Sequence, residues 1–383
     1  MEKVSKIYVG LEIGTHKICF AAGEVKPGHA IKILGFSVSD SLGVKEGEIY
    51  DVSLARQCLT KALAEAENVC DIEIGSVILA VTGDHIKGSG SCGTYCLPDA
   101  DSEVTLEHIE EACSIAREIR IPDKHVYIHP IVTGYRLDDA DYPKAPVGLC
   151  GKTLEANFHV IHGDGDRLQS SIRMVRSIGL EIDDLVFSPI SIAQVSLDSV
   201  HRNNGALLVD IGGGTTDYAL YLNGSIAASG SIPIGGDHVT QDIRLATGLS
   251  FLKAECLKIS EGNASEDPFD LLGTAELEDE DGRKVEVLRE VLNKAIHNRL
   301  KEVLSLVRDQ MPAGALASIR AGVFVTGGTT QTRGFNELAS KILGCEIHDV
   351  DRPKFSGILT GYDSRYLSTA AGLLRYAQIS DTE

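Results

Sequence analysis

The sequence predicts an α/β fold built from a duplicated domain, with a further region inserted into the first copy. Three observations predict it. Ala206 to Gly224, ALLVDIGGGTTDYALYLNG, is an apolar run ending on Asp210, then a glycine triplet, then a second apolar run closed by Asn223-Gly224. Ile7 to Val25, IYVGLEIGTHKICFAAGEV, repeats that order about 200 residues earlier: strand, acid (Glu12), glycine turn (Gly14-Thr15), strand. Helical and strand patterns alternate through the rest of the chain, as in α/β proteins. Two such units imply two hairpins facing each other across a cleft.

The glycine turns carry the chemistry. Gly212, Gly213 and Gly214 have no Cβ, so backbone N–H groups there can turn inward and approach a polyanion closely. Gly212, Gly214 and Asp217 imitate a dinucleotide fingerprint, but that motif needs a helix directly after the glycines, and here a strand follows. A P-loop is excluded because GxxxxGK[ST] does not occur. A third turn, in Gly322 to Gly334 (GVFVTGGTTQTRG), follows a buried-type strand and suits holding a nucleoside from the side.

The remaining elements follow in order. Ser53 to Asn68 reads as a helix with Leu54, Cys58, Leu59, Ala62 and Leu63 on one face, and Val77 to Val81 as a short buried strand. The inserted region runs from about Gly83 to His162 and holds one clear helix, Thr105 to Arg120. A helix over Ser170 to Ile178 with Gly179 as its C-cap returns to the first domain, and Val186 to Leu197 connects to the second, which begins near Ala206. Glu276 to Gly282 (ELEDEDG) reads as a solvated acidic loop. Val285 to Met311 reads as one long helix, and Tyr366 to Tyr376 closes the chain.

Composition narrows the function classes. The chain has 383 residues, 43% hydrophobic and 24% charged, enough for two or more domains with sizeable cores. No run of 18 apolar residues and no signal peptide occurs, so a cytosolic protein is expected. Nine cysteines at irregular positions read as reduced thiols, and the pair Cys92 and Cys96 lacks the second pair a zinc site would need. His125 and His129 read as structural. A net charge of -19 argues against nucleic acid and against an anionic surface.

The three glycine turns in this order resemble the superfamily of actin, the sugar kinases and Hsp70: Glu12 to Lys17 its first phosphate loop, Asp210 to Asp217 its second, and Val325 to Gly334 its adenosine loop. His125 to Asp139 and Pro146 to Ile161 resemble the insertion peculiar to FtsA, the bacterial division protein. The similarity extends from Ile7 to about Tyr376. It implies an actin-like fold of two duplicated ribonuclease-H-like domains with an FtsA-type inserted subdomain. The expected divisions are 1–82 plus 163–200, with a helix over 364–383 packing back on them; the insertion 83–162; 201–240 plus 319–363; and 241–318.

The resemblance also implies ATP and Mg2+ as ligands. Glu12, where the superfamily mostly has aspartate, and Asp210 are the expected holders of the magnesium waters. Gly14, Thr15, His16, Gly212, Gly213, Gly214, Thr215 and Thr216 are the expected phosphate contacts. Lys17 reads either as a further phosphate contact or as a surface lysine. Gly327, Gly328 and Thr329 form one adenosine wall, and Glu255 and Lys258, three apart on one helix face, form the other. Gly236, with Gly235, reads either as a close approach to the nucleoside or as an ordinary turn. Actin-type ATPases often place a glutamine or glutamate at the first connecting helix, and here only Ser188 and Ser191 stand there. Slow hydrolysis at most is expected, below roughly 1 turnover per second.

As partners the resemblance implies the C-terminal tail of the tubulin-like FtsZ, docking at Arg299 with Asn298 and Lys294, since an arginine suits carboxylates. It further implies self-association into filaments, later division proteins at the insertion, and a place at the cytoplasmic face of the membrane. FtsA proteins usually end in a basic amphipathic helix. The closing residues Ala377 to Glu383 contain no lysine or arginine, so a truncated chain or another route to the membrane is expected. Two rival readings are an actin-fold kinase of a small molecule and a pilus-assembly scaffold related to FtsA.

Overall fold

The computed structural model describes residues 5–26, 28–99, 102–278, 284–350, 355–358 and 363–381. Two sheets built to one plan form its frame. In the first, strands Lys32–Asp40, Lys17–Val25 and Lys6–Ile13 make an antiparallel meander, and Ser76–Val81 and Glu181–Phe187 extend it in parallel. In the second, Ser225–Ile232, Thr216–Leu222 and Ala206–Ile211 make the meander, and Val323–Thr326 and Ile347–Asp349 extend it in parallel. The duplication expected from the sequence is thus a duplication of topology, the order of the ribonuclease-H-like domain.

Local residue choices explain the elements that position the cleft. Asn223 and Gly224 both take positive φ, 53° and 85°, which is the two-residue turn that fits the right-handed twist of Thr216–Leu222 and Ser225–Ile232. The first helix runs Val52–Cys70. The Asp51 carboxylate caps it by accepting from the N–H groups of Ser53 and Leu54. Strand Thr216–Leu222 is buried on both faces until its last residue, so its apolar run reflects a position inside a layered sheet rather than at a surface. The helices Ser188–Ser196 and Ser364–Ser380 pack so closely that a Cβ on Gly372 would lie 2.2 Å from the Ser191 carbonyl oxygen.

Several boundaries differ from the sequence reading. Val285 to Leu288 does not belong to the long helix. Lys284–Leu288 pairs antiparallel with Thr274–Glu278, and the helix runs Arg289–Asp309. Part of the predicted solvated loop is therefore strand, Glu276 to Glu278, and the rest of it, 279–282, lies outside the described residues. The helix expected at Ser170 spans Gly165–Arg176, started by the Asp164 side chain. The helix predicted over Thr105 to Arg120 spans Leu106–Arg117 and is capped by Thr105.

The insertion has its own small core of Val104, Ile109, Ala112, Ala116, Leu154 and Phe158, where the helix Leu106–Arg117 covers strands Lys87–Cys96 and Thr153–Asp164. Gly93 permits that packing, because a Cβ there would lie 2.1 Å from the Ala112 carbonyl oxygen. Lys87 pairs with Gly230, so the sheet of the insertion continues the sheet of the second half into nine strands.

Candidate functional site

The two phosphate-loop candidates close in the same way. Gly14 N–H donates to the Lys17 carbonyl at 2.8 Å, and Gly212 N–H donates to the Thr215 carbonyl at 2.9 Å. This corrects the expectation for Gly14 and Gly212, whose N–H groups are spent inside their turns. Those of Thr15, His16, Gly213 and Gly214 have no protein acceptor among the described residues and remain available to an anion. Thr216 is also corrected. It is fully buried, and its hydroxyl donates to the Ile234 carbonyl at 2.7 Å.

The loops meet face to face. A Cβ on Gly213 would lie 2.5 Å from His16 Cδ2, and one on Gly214 would lie 2.6 Å from the Glu46 nitrogen and 2.7 Å from Thr15 Oγ1. His16 Nε2 lies 2.5 Å from Asp237 Oδ1 in the other half, and that hydrogen bond raises the imidazole pKa against the opposing effect of burial. Thr82 Oγ1 donates to Asp217 Oδ2 at 2.5 Å, again between the halves.

Three acids and one lysine collect beneath the loops. Lys17 Nζ lies 3.2 Å from Glu12 Oε2 and also donates to the Tyr366 carbonyl, so the ammonium is held beside Glu12 rather than extended into solvent. Asp210 pairs in register with Asp217. Burial, then Asp217 and Glu12, pushes the Asp210 carboxyl up to about 7, with Lys17 opposing. Burial pushes Asp217 up to about 6. Although burial alone would lower it, Cys19, Glu12 and Asp210 raise the Lys17 pKa, so the ammonium stays charged. One cation against three carboxylates leaves room for more positive charge. Among the described residues no group of three or more His, Cys, Asp or Glu side chains could ligate a metal directly.

The nucleoside candidates also converge. Lys258 Nζ donates to the Gly236 carbonyl at 3.1 Å and to Thr240 Oγ1 at 2.8 Å, and it lies 2.6 Å from Glu255 Oε2. A Cβ on Gly236 would lie 2.5 Å from Thr329 Oγ1, and the Thr329 hydroxyl donates to the Gly212 carbonyl at 2.9 Å. Gly236 N–H donates to that same carbonyl. Gly236 starts a helix, Gly236–Thr247, as in the ordinary-turn reading, and the close approach it permits here is that of Thr329. Gly327 has φ of 93° and passes beside Asp210, whereas a Cβ on Gly328 would face open space. Beside the loops a cavity of about 390 Å³ opens between the halves, lined by Thr15, His16, Tyr50, Gly214, Asp237 and Phe251 among others.

The serines of the connecting helix are engaged elsewhere. Ser188 Oγ donates to the Val81 carbonyl at 3.2 Å, and Ser191 Oγ to the Thr369 carbonyl at 2.6 Å. On the helix Arg289–Asp309, Asn298 is exposed and Lys294 pairs with Glu290 at 2.5 Å. Arg299 grips Asp242 with Nε at 2.7 Å and Nη2 at 3.0 Å, and Nη1 reaches Glu302 at 2.7 Å. The guanidinium expected to await a partner is thus already met by carboxylates of its own chain. His125 and His129 do not act together, because the register with Thr153–Asp164 slips at Ile128. His125 meets His162 at 2.9 Å, while His129 Nε2 accepts the Phe187 N–H at 3.0 Å. Cys92 and Cys96 are exposed free thiols.

Sequence reasoning passed over Thr82, Asp217, Glu46 and Asp237 as site residues. Asp217 carried a signal, since it mirrors Asp210 across the glycine triplet. Thr82 carried none, because its role depends on where the end of strand Ser76–Val81 falls in space.

Comparison with known proteins agrees with this fold. A family model described as "Cell division protein FtsA" matches residues 207–372, and one described as "SHS2 domain inserted in FTSA" matches residues 83–162. The cell division protein FtsA of Escherichia coli (strain K12) is 32% identical over 384 residues, covering 98% of this chain and 91% of that protein. FtsA of Pseudomonas aeruginosa is 31% identical, covering 97% and 89%. Among solved structures, the PilM-PilN type IV pilus biogenesis complex superposes with a TM-score of 0.65 at 16% identity, covering 98% of both chains. MreB 5 of Spiroplasma citri bound to AMPPNP superposes with 0.57 at 14%, covering 99% and 98%. At those identities the two structures show the fold alone. The identity to the division proteins, held over nearly the whole length of both chains, shows that this chain belongs to the FtsA family of actin-like cell-division proteins.

Proposed function

We propose that this protein binds ATP with magnesium between its halves, self-associates into actin-like filaments and links FtsZ polymers at the division site to the membrane and to later division proteins. The observation that carries the nucleotide reading is the convergence, from two matched turns, of unpartnered N–H groups above three acids and one lysine. The N–H groups of Thr15, His16, Gly213 and Gly214 would receive phosphate oxygens, and Glu12 and Asp210 would hold the waters of a magnesium ion. The ion would supply the positive charge that Lys17 alone does not. Gly328 and Thr329 on one side, and Glu255 and Lys258 on the other, would flank the nucleoside.

The Ser188 and Ser191 hydroxyls, at the place where a water-orienting side chain is sought, are bonded to carbonyls and so are not free to orient water for hydrolysis. The nucleotide then acts as a structural ligand that holds the halves together, and hydrolysis is slow at most. No described helix is long and apolar enough to cross a membrane, so the link to the membrane is peripheral in this reading. Later division proteins would dock on the insertion.

For FtsZ, the exposed Lys294 and Asn298 beside Arg299 offer a polar face on the helix Arg289–Asp309. A tail carboxylate would compete with Asp242 for the arginine. Cosedimentation with FtsZ filaments, with and without lipid vesicles, tests the linking role. Native protein should pellet with the filaments and Arg299→Glu should not, while Asp242→Asn, which removes one of the two carboxylates on the guanidinium, should bind at least as well as native. Equal pelleting of Arg299→Glu would remove Arg299 from the interface. Failure of the native chain to pellet would overturn the linking role itself.

A further inference from the structure

The insertion is held by both halves of the molecule, although the chain enters and leaves it from the first half alone. On the first half, His129 Nε2 accepts the Phe187 N–H at 3.0 Å, and the His129 ring lies 5.8 Å from that of Tyr376. On the second half, strand Ser225–Ile232 makes three polar contacts with it among the described residues. Gly230 pairs with Lys87, His159 Nε2 lies 2.8 Å from Ser229 Oγ in a buried contact, and Ser225 Oγ donates to the Thr133 carbonyl at 2.8 Å. The fit is close. A Cβ on Gly88 would come within 2.4 Å of both His159 Nε2 and Ser229 Oγ.

That strand is the direct neighbour of the one leaving the glycine triplet, with Asp217 opposite Ser231 and Thr216 opposite Ile232. At the other end of the same path, Thr82 stands one residue before the insertion begins, and its hydroxyl bonds Asp217. The phosphate loop and the insertion are therefore joined twice, through Thr82 and through the hydrogen-bonded strands. Separating the halves therefore works against one or the other anchor of the insertion.

We propose that the insertion is a lever coupled to the cleft: a polyphosphate ligand that holds the two glycine turns together keeps the insertion docked on Ser225–Ile232, and opening of the cleft releases it. This rests on the nucleotide reading above for the nature of the ligand, but not for the coupling itself. Coupling between two sites is reciprocal, so loosening either end must loosen the other. The surface of the insertion offered to a partner would then depend on what the cleft holds.

Amide hydrogen exchange of the whole chain tests this, since it reads local opening segment by segment. Without ligand, Thr82→Val should speed exchange in residues 87–90 and 225–231, and Ser229→Ala should speed exchange in residues 212–217. Each change should be roughly fivefold, the factor expected for one lost hydrogen bond. Thr82→Ser, which keeps the hydroxyl, should stay at the native rate and so separates loss of the bond from general damage. Added ATP with magnesium should slow exchange at 87–90 and 225–231 in the native chain and less in Thr82→Val. Effects confined to the mutated segment would overturn the proposal. Ligand-free coupling without any response to ATP would instead count against the nucleotide reading and leave the lever standing.

Discussion

Replacing Gly214 with alanine tests whether the two loops oppose each other as closely as the geometry requires. The new Cβ would sit 2.6 Å from the Glu46 nitrogen, 2.9 Å from Glu46 Cα and 2.7 Å from Thr15 Oγ1. The Thr15 hydroxyl can rotate away. Glu46 cannot, because its backbone forms the tight turn between Val44–Lys45 and Glu48–Ile49 at φ of 51°, a strained conformation for a side-chain-bearing residue. The halves must then part by several tenths of an ångström at the loops. Overpacking of this kind costs about 1–3 kcal/mol. If the ligand binds only when the loops are closed, the same cost is subtracted from binding, which weakens ATP about 5- to 160-fold. Isothermal titration with Mg–ATP reads the affinity. Urea unfolding followed by tyrosine fluorescence reads the stability, since the chain has 11 tyrosines and no tryptophan. Gly212→Ala is the control, because its Cβ would find only the Thr215 carbonyl oxygen at 3.5 Å. Affinity for Gly214→Ala within twofold of native, or equal damage from Gly212→Ala, would refute the reasoning.

Two further predictions follow from the cleft. A Cβ on Gly328 meets nothing within 4 Å, so Gly328→Ala should leave the urea midpoint unchanged yet weaken ATP binding, because the methyl enters the space assigned to the nucleoside; unchanged titration would move the nucleoside elsewhere. Asp210 is pushed up to about 7 and Asp217 to about 6, so both take up protons as the pH falls through that range. Magnesium-dependent binding should therefore weaken from pH 8 to pH 6, with proton release on binding visible as a buffer-dependent heat. In the ligand-free protein the sign is opposite for stability: carboxyls raised above their unfolded values favour the fold most at low pH, and that contribution is lost as the pH rises through about 7. A pH-independent affinity would show that these two acids do not face the ion.

The duplicated plan was legible because its signals are local. A glycine triplet, an acid at the end of an apolar run and an Asn-Gly turn each dictate backbone geometry within a few residues, and the structure places them as two matched hairpins. The long-helix reading overran at its start because Val285, Val287 and Leu288 lie in register with the helical spacing of Val291 and Leu292. Four residues cannot distinguish a period of 2 from one of 3.6, and pairing with Thr274–Glu278 decided for strand.

What the sequence by itself determined is where the chain must turn and which turns lack side chains, since both follow from φ preferences and from the missing Cβ of glycine. Tertiary structure decided that Thr82 reaches Asp217 across the halves, that Arg299 is already held by Asp242, and that a region leaving the first half completes the sheet of the second. Those outcomes depend on hydrogen bonds between residues far apart in the chain. No local preference encodes such bonds; they exist only once both halves have packed.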